Sequence, residues 1–259
     1  MFTYAVKVDV GVSKEHNDDR ALVDSHIFSE GFVVNSSNKN YMIAAICDGV
    51  GGRAHGDQAA MITLEVLSYL NRPSVELATI RTAIEEANRR IITAQKKDYG
   101  KKGMCTTVAG VYVDQENFFV FNAGDSRVYR FRHRYLMQLS KDHSHVQDLV
   151  TMGEITMEEA KVHSQKNLIN KCIGNKNSVN PRIVDMSGDF YQGDLLLICS
   201  DGISDVITEI ELKELLLKHK QDRDLSQCCQ ELYELAIKND SLDNLSIILM
   251  RKEAPIDDK

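Results

Sequence analysis

Tyr41-Met42-Ile43-Ala44-Ala45-Ile46-Cys47-Asp48-Gly49-Val50-Gly51-Gly52 is an uncharged run that stops at an aspartate and passes into glycines. Its apolar part, 41–47, is far shorter than the roughly 20 residues that span a bilayer, and it reads as a strand. The same ending recurs at Cys199-Ser200-Asp201-Gly202 and at Ala123-Gly124-Asp125, and Asp243-Asn244 opens a further apolar run. Working outward, runs rich in Val, Ile, Phe and Tyr predict strands over 2–10, 105–113, 117–122, 127–132, 182–187, 194–199 and 244–250. Between them, Ala59, Ile62, Val66 and Tyr69 fall at helical spacing, as do Leu77, Ile80, Ile84, Ala87 and Ile91. Leu212 to Leu217 and Leu225 to Ile237 give two more helical patterns before the last strand. Helices therefore come in pairs instead of alternating with strands, which favours helices stacked outside antiparallel sheets over a parallel βαβ sheet.

A length of 259 residues lies at the upper end of what one hydrophobic core supports. With only three prolines and no low-complexity or Gly/Ser-rich stretch there is nowhere to draw a linker, so 1–259 is expected to be one domain. The formal charge of −7 weighs against nucleic acid or an anionic membrane as partner, since both call for a dense cationic surface. The first ten residues alternate polar and apolar and lack the cationic start and apolar segment of a signal peptide. Six cysteines at 47, 105, 172, 199, 228 and 229 form no C-x-x-C pair. They fit buried free thiols in a reducing cytoplasm better than a zinc site or a disulfide framework.

The acidic excess then needs a local account. A single Asp-Gly at a strand end is equally well a turn. Repetition changes the weighting: strand ends hold side chains at fixed points, and glycine lets backbone carbonyls approach closely. Gathered aspartates repel unless cations neutralise them. A set of oxygen donors with no Cys or His among them suits Mg²⁺ or Mn²⁺, which also retain waters. Two such ions can hold one water, lower its pKa and polarise a phosphoryl oxygen for in-line displacement. No phosphate loop, H-E-x-x-H or G-x-S-x-G stands as a competing motif, and Gly49-Val50-Gly51-Gly52 lacks the lysine of a nucleotide loop.

Taken together, these residues resemble the type 2C metal-dependent Ser/Thr protein phosphatases, with the family's motifs in order from about Gly11 to Ile248. Asn17-Asp18-Asp19 resembles N-E-D, Asp48-Gly49-Val50-Gly51-Gly52 the D-G-x-G-G loop, and Gly56-Asp57 the G-E that opens the next helix. Cys105-Thr106-Thr107, Gly124-Asp125-Ser126-Arg127, Ser140-Lys141-Asp142-His143-Ser144, Ser200-Asp201-Gly202 and Asp243-Asn244 follow. The resemblance implies an α+β, four-layer α-β-β-α sandwich, in agreement with the paired helices. It implies that Asp48 bridges two central Mn²⁺ or Mg²⁺ ions and that Gly49 offers its carbonyl. Asp201 and Asp243 then complete the site, Asp19 acts through bound water, and Asp125 with Asp201 holds a weaker third ion. The implied activity is hydrolysis of phosphorylated Ser/Thr proteins by a metal-bridging water, by a monomer that a Ser/Thr kinase opposes. The competing reading is an inactive phosphatase-like binding module, against which intact Asp48, Asp201 and Asp243 speak.

Some positions depart from the family pattern. Lys14 stands where an arginine usually grips the substrate phosphate, and a lysine attracts phosphate without the planar bidentate contact. It is equally an ordinary surface lysine, and Arg53 is open in the same way. Val50 occupies a position where eukaryotic members often carry a histidine proposed as general acid. His143 is expected to be a structural hydrogen-bonding residue. The segment 145–180 resembles the flap of bacterial members, with Gly153 to Ala160 matching its Gly-x-Ile-Thr-x-Glu-Glu-Ala stretch and 163–167 departing from H-P-x-R-N.

Overall fold

A computed structural model of the chain describes residues 1–50, 55–220 and 224–253. Along the chain come β1 (Phe2–Asp9), β2 (Arg20–Val23), β3 (His26–Phe28), β4 (Gly31–Ser37), β5 (Met42–Cys47), α1 (Gly56–Ser68) and α2 (Leu77–Lys97). Then follow β6 (Val108–Val113), β7 (Phe118–Ala123), β8 (Arg127–Arg132), β9 (Tyr135–Gln138), α3 (His145–Met152), α4 (Met157–Val162) and β10 (Arg182–Asp185). The last third holds β11 (Leu195–Cys199), α5 (Asp201–Ser204), α6 (Glu209–Lys218), α7 (Ser226–Lys238) and β12 (Leu245–Lys252).

Two six-stranded antiparallel sheets form, one ordered β4-β1-β12-β11-β8-β9 and the other β10-β7-β6-β5-β2-β3. Antiparallel sheets commonly keep one face in water and so alternate apolar with polar residues. The central strands here do not, because each is covered twice. In β5, Met42, Ala44 and Ile46 face the layer between the sheets, where they join Val6, Ile198 and Ile248. Ile43, Ala45 and Cys47, pointing the other way, pack with Leu64, Leu67, Ile80 and Ile84 of α1 and α2. In β12, Leu245, Ile247 and Leu249 meet Leu212, Leu216, Cys229 and Leu232 of α6 and α7, whereas Ile248 and Met250 turn to the layer between the sheets. The order helix pair, sheet, sheet, helix pair is the four-layer sandwich expected from the sequence.

Four short strands went unforeseen. The β2–β3 and β8–β9 hairpins turn on Asp24 and His133, both left-handed, with φ of 60° and 58°; neither turn contains the glycine that signals a hairpin from sequence. β4 is a largely exposed edge strand, and β6 begins at Val108, not 105, because 105–107 bends to bond the backbone at Asp48 and Val50. No described helix is long and apolar enough to cross a membrane. All six cysteines are buried.

Candidate metal centre

Every aspartate singled out from the sequence lies at an end of one of the two sheets. Asp48 follows β5, and its backbone is fastened on both sides. Its carbonyl accepts from Thr106 Oγ1 and from the Thr107 amide, each at 2.8 Å. Its own amide donates to Thr107 Oγ1 at 3.1 Å, and that hydroxyl meets Ser126 Oγ at 2.7 Å. The next residue must be glycine, since a Cβ at Gly49 would stand 2.8 Å from the Asp18 carbonyl oxygen and 2.7 Å from that of Gly56. Asp19 precedes β2 with its amide bonded to Asn17 Oδ1 at 3.0 Å. From the other sheet, Asp201 opens α5 directly beyond β11, and Asp243 stands two residues before β12.

Asn244 locks the remaining strand of the site. Its Oδ1 accepts from the Asp18 amide at 2.9 Å, and its Nδ2 donates to the carbonyls of Val10 and His16 at 2.9 and 3.1 Å. One buried amide thus gathers the loop between β1 and β2, and that loop carries Lys14. Lys14 Nζ lies 2.9 Å from Asp243 Oδ1. Burial by itself would lower the lysine's pKa, but the bond to Asp243 and the fields of Asp243, Asp48 and Asp201 outweigh it, so the ammonium is held charged.

The carboxylates are uncomfortable together. Asp48, Asp125 and Asp201 keep some contact with solvent, yet they sit deep enough that desolvation is the main cause of their raised pKa values. Asp48 is pushed up further by Asp201, Asp19, Asp125 and Asp243. Asp201 is raised to about 6, first by burial and then by Asp243 and Asp205, with a hydrogen bond to the Asp48 carboxyl as partial relief. Asp19, only 1% exposed, is raised to about 7 by burial, with Asp201 and Asp243 adding to the shift while Ser246 and Ser200 ease it. Its Oδ2 is buried without a hydrogen bond. Asp125 is raised by burial and by Asp201, Asp142 and Asp205. This mutual coupling brings Asp19, Asp48, Asp125, Asp201 and Asp243 into one electrostatic cluster.

An orphaned carboxylate oxygen, a glycine whose Cβ would collide and a donor set made only of oxygen fit a hard divalent cation. Among the described residues no three His, Cys, Asp or Glu groups enclose a metal position by themselves. A hydrated ion that takes one or two carboxylates and keeps its waters matches that openness. Such an ion would reverse the pKa pattern, because its own charge favours the ionised carboxylates.

Sequence reasoning quoted Asp142 only as part of a motif, without a role, and missed Asp205. Asp142 is buried against Arg127, whose Nη2 and Nε donate to Oδ2 at 2.7 and 2.9 Å, while Gln138 Nε2 donates to Oδ1 at 2.8 Å. Asp205 follows Asp201 by four residues, and its amide bonds to the Asp201 carbonyl at 2.8 Å; that helical spacing was the available signal. His143 Nδ1 accepts from the Gly124 amide at 3.3 Å, and burial, with Lys171 and Arg182 nearby, lowers its pKa to about 4. It is therefore a neutral, bonded residue. His55 is exposed and meets Gln58 Nε2 at 3.0 Å. Gly51, Gly52 and Arg53 lie outside the described residues.

Comparison with known proteins gives the same picture. The protein phosphatase 2C family model matches residues 16–246. The serine/threonine phosphatase stp of Listeria monocytogenes is 30% identical over 246 residues, which cover 92% of this chain and 95% of that protein. The crystal structure of Stp1 from Staphylococcus aureus superposes with a TM-score of 0.84 at 28% identity, covering 98% of this chain and 96% of that one. The catalytic domain of the phosphatase PstP, solved in complex with 2 manganese ions, superposes with a TM-score of 0.78 at 26% identity over 98% of this chain and all of that one. With the whole carboxylate cluster inside or within reach of the matched span, and the fold shared end to end, this chain belongs to the protein phosphatase 2C family.

Proposed function

We propose that the chain is a Mn²⁺- or Mg²⁺-dependent phosphatase that hydrolyses phosphoserine and phosphothreonine monoesters in proteins. The carrying observation is that carboxylates meet from the ends of both sheets, so that Asp201 and Asp243 from one raise the pKa of Asp19 and Asp48 from the other. Family membership and relatives named serine/threonine phosphatases support the same reading. In it, Asp48, the Gly49 carbonyl, Asp201 and Asp243 hold two central ions, Asp19 orients water around them, and Asp125 with Asp201 holds a third, weaker one. When bound, the ion pair supplies a water of lowered pKa and Lewis acidity toward the phosphoryl oxygens. Lys14, beside Asp243 at the mouth of the cluster, gives the phosphoryl group a point charge to approach. Val50 has no proton to give, so the leaving alkoxide takes its proton from water.

The proposal extends to a single domain of 259 residues with 145–180 as a flap over the substrate, working as a cytoplasmic monomer opposite a Ser/Thr kinase. Hydrolysis of an aryl phosphate with and without Mn²⁺ tests the activity itself. Asp201→Asn preserves shape and removes one charge, and it should lower turnover at saturating Mn²⁺ by more than about tenfold, given the several kcal/mol such stabilisation supplies. Retention of wild-type turnover in that variant would remove Asp201 from the ligand set.

A further inference from the structure

Four cations gather where the segment 170–182 closes against α2. Arg81 Nη1 donates to Asn180 Oδ1 at 3.1 Å and to the Pro181 carbonyl at 3.2 Å. Lys171 Nζ donates to the Asn180 carbonyl at 2.9 Å. Arg182 follows directly and is exposed, as is Lys176, whose carbonyl is tied to α2 by Asn88 Nδ2 at 2.8 Å. Among the described residues none of these four has a carboxylate oxygen within 4.0 Å. The two acids at hand are already occupied. Glu85 accepts from the amides of Val179 and Asn180 and from Ser178 Oγ, and Asp148 accepts from Asn170 Nδ2. The cations feel one another: burial, then Lys176 and Arg81, lower the pKa of Lys171, and the field of Asp148 offsets this only in part. In a chain of net charge −7 an unneutralised cationic patch is the exception that needs a reason.

The patch borders the metal centre on two sides. Lys171 is two residues from Ile173, which pairs with Thr106, the residue whose hydroxyl bonds the Asp48 carbonyl. Arg182 is in register with Asn122, three residues before Asp125. At about 3.3 Å per extended residue, a peptide with its phosphoryl group over the aspartates reaches the patch within about five residues. We propose that Arg81, Lys171, Lys176 and Arg182 form a docking surface for a carboxylate-rich stretch of the protein substrate lying next to the phosphorylated residue. The inference rests on the phosphatase reading above. A second phosphate group fits less well, because Arg81 already spends donors on Asn180 and Pro181 and Lys171 one on Asn180, which leaves no free fork to clamp a dianion. Distributed ammonium and guanidinium groups suit a row of Asp or Glu side chains.

The test compares two phosphopeptides that differ only in carrying Glu or Gln at the flanking positions, together with an aryl phosphate. At low salt the wild type should favour the Glu peptide in kcat/KM by about tenfold, as expected for steering by a local cationic field. The double variant Lys171→Gln/Arg182→Gln should lose that preference while keeping wild-type hydrolysis of the aryl phosphate. Lys213→Gln, an exposed lysine on α6, should keep both. Equal use of the two peptides by the wild type, a preference that survives in the double variant, or an equal loss in Lys213→Gln would each overturn the docking surface. Should the double variant fail to fold, the wild type decides: a Glu preference that does not shrink on raising salt excludes an electrostatic origin. Failure of the wild type to hydrolyse the aryl phosphate in Mn²⁺ would instead bring down the phosphatase reading, and this inference with it.

Discussion

Lys14 is the residue whose sequence reading gains most from the structure. A lysine in a loop is usually a solvated surface charge, whereas this one is half buried and 2.9 Å from Asp243. In the proposed role Lys14→Ala removes one charged contact to the phosphoryl group, so KM should rise about tenfold with little change in kcat, in line with the 1.5–3 kcal/mol of a hydrogen bond to a charged group. Lys14→Arg, with its fork, should lower KM. Equal constants for all three proteins on one phosphopeptide would show that the side chain never meets the phosphate. Asp19 carries a second prediction. It and Asp201 hold their protons to about 7 and about 6 in the folded chain, well above a free aspartate, so the stability they contribute is complete at low pH and lost as pH rises through those values. His143, lowered to about 4, works in the opposite direction until its unfolded pKa near 6.5 is passed. In chelator, therefore, the melting temperature should fall between about pH 6.5 and 7.5, and Asp19→Asn should flatten that fall. An identical slope in the two proteins would refute the assignment. At this scale Asp48, Asp125, Asp201 and Asp243 were legible because each ends or opens an apolar run, and Asp19 only through its likeness to a family motif, whereas Asp142 and Asp205 border no strand-like run.

Among the elements, the strands that bury both faces announced themselves as unbroken apolar runs, and their ends were read to within about three residues, the usual uncertainty of boundaries. The hairpins on Asp24 and His133 escaped because left-handed Asp and His carry no signal as strong as glycine. The stretch Gly153 to Ala160 has a local meaning beyond family likeness. Gly153 ends α3 in the left-handed conformation at φ 76°, and Thr156 with Glu159 forms a reciprocal capping box that starts α4. The most consequential junction is Asn244, where a single side chain satisfies one amide and two carbonyls of the loop between β1 and β2. Asn244→Ala leaves those groups with no partner in a site only 4% exposed. It should cost about 2–4 kcal/mol of stability. Its urea midpoint and its affinity for Mn²⁺ should fall together. Loss of stability with unchanged metal affinity would show that the loop keeps its shape without this clamp.

Across the whole molecule the two sheets meet through one apolar layer, and the acids of the site come from both. A cation that binds Asp48 and Asp201 together ties one sheet to the other, so it should stabilise the native state by preferential binding. Chelation should lower the melting temperature by several degrees relative to millimolar Mn²⁺, an effect of about 1–3 kcal/mol. Equal midpoints, with metal removal confirmed by analysis, would contradict this. Asp125 is the residue on which the proposed third ion can be tested apart from the central pair. Asp125→Ala should retain most of the metal-dependent stabilisation and lose most phosphopeptide hydrolysis, whereas a plain turn residue would give the converse. The four layers were legible from the pairing of helices. Which residue faces which layer was not, because a strand apolar at every position has no period, and only its register against neighbours assigns its two faces.

The position of β12 bears on how the protein comes into being. It lies between β1 and β11 in the middle of its sheet, although it is the last described strand to be made, and it is preceded by Asp243 and Asn244. A nascent chain emerges from the ribosome N-terminus first. Until residues 243–252 arrive, β1 has no partner on that side, the loop bearing Lys14 has no clamp and the carboxylate cluster lacks a member. An unfinished chain therefore lacks a complete carboxylate cluster, and the centre assembles in the same event that closes the sheet.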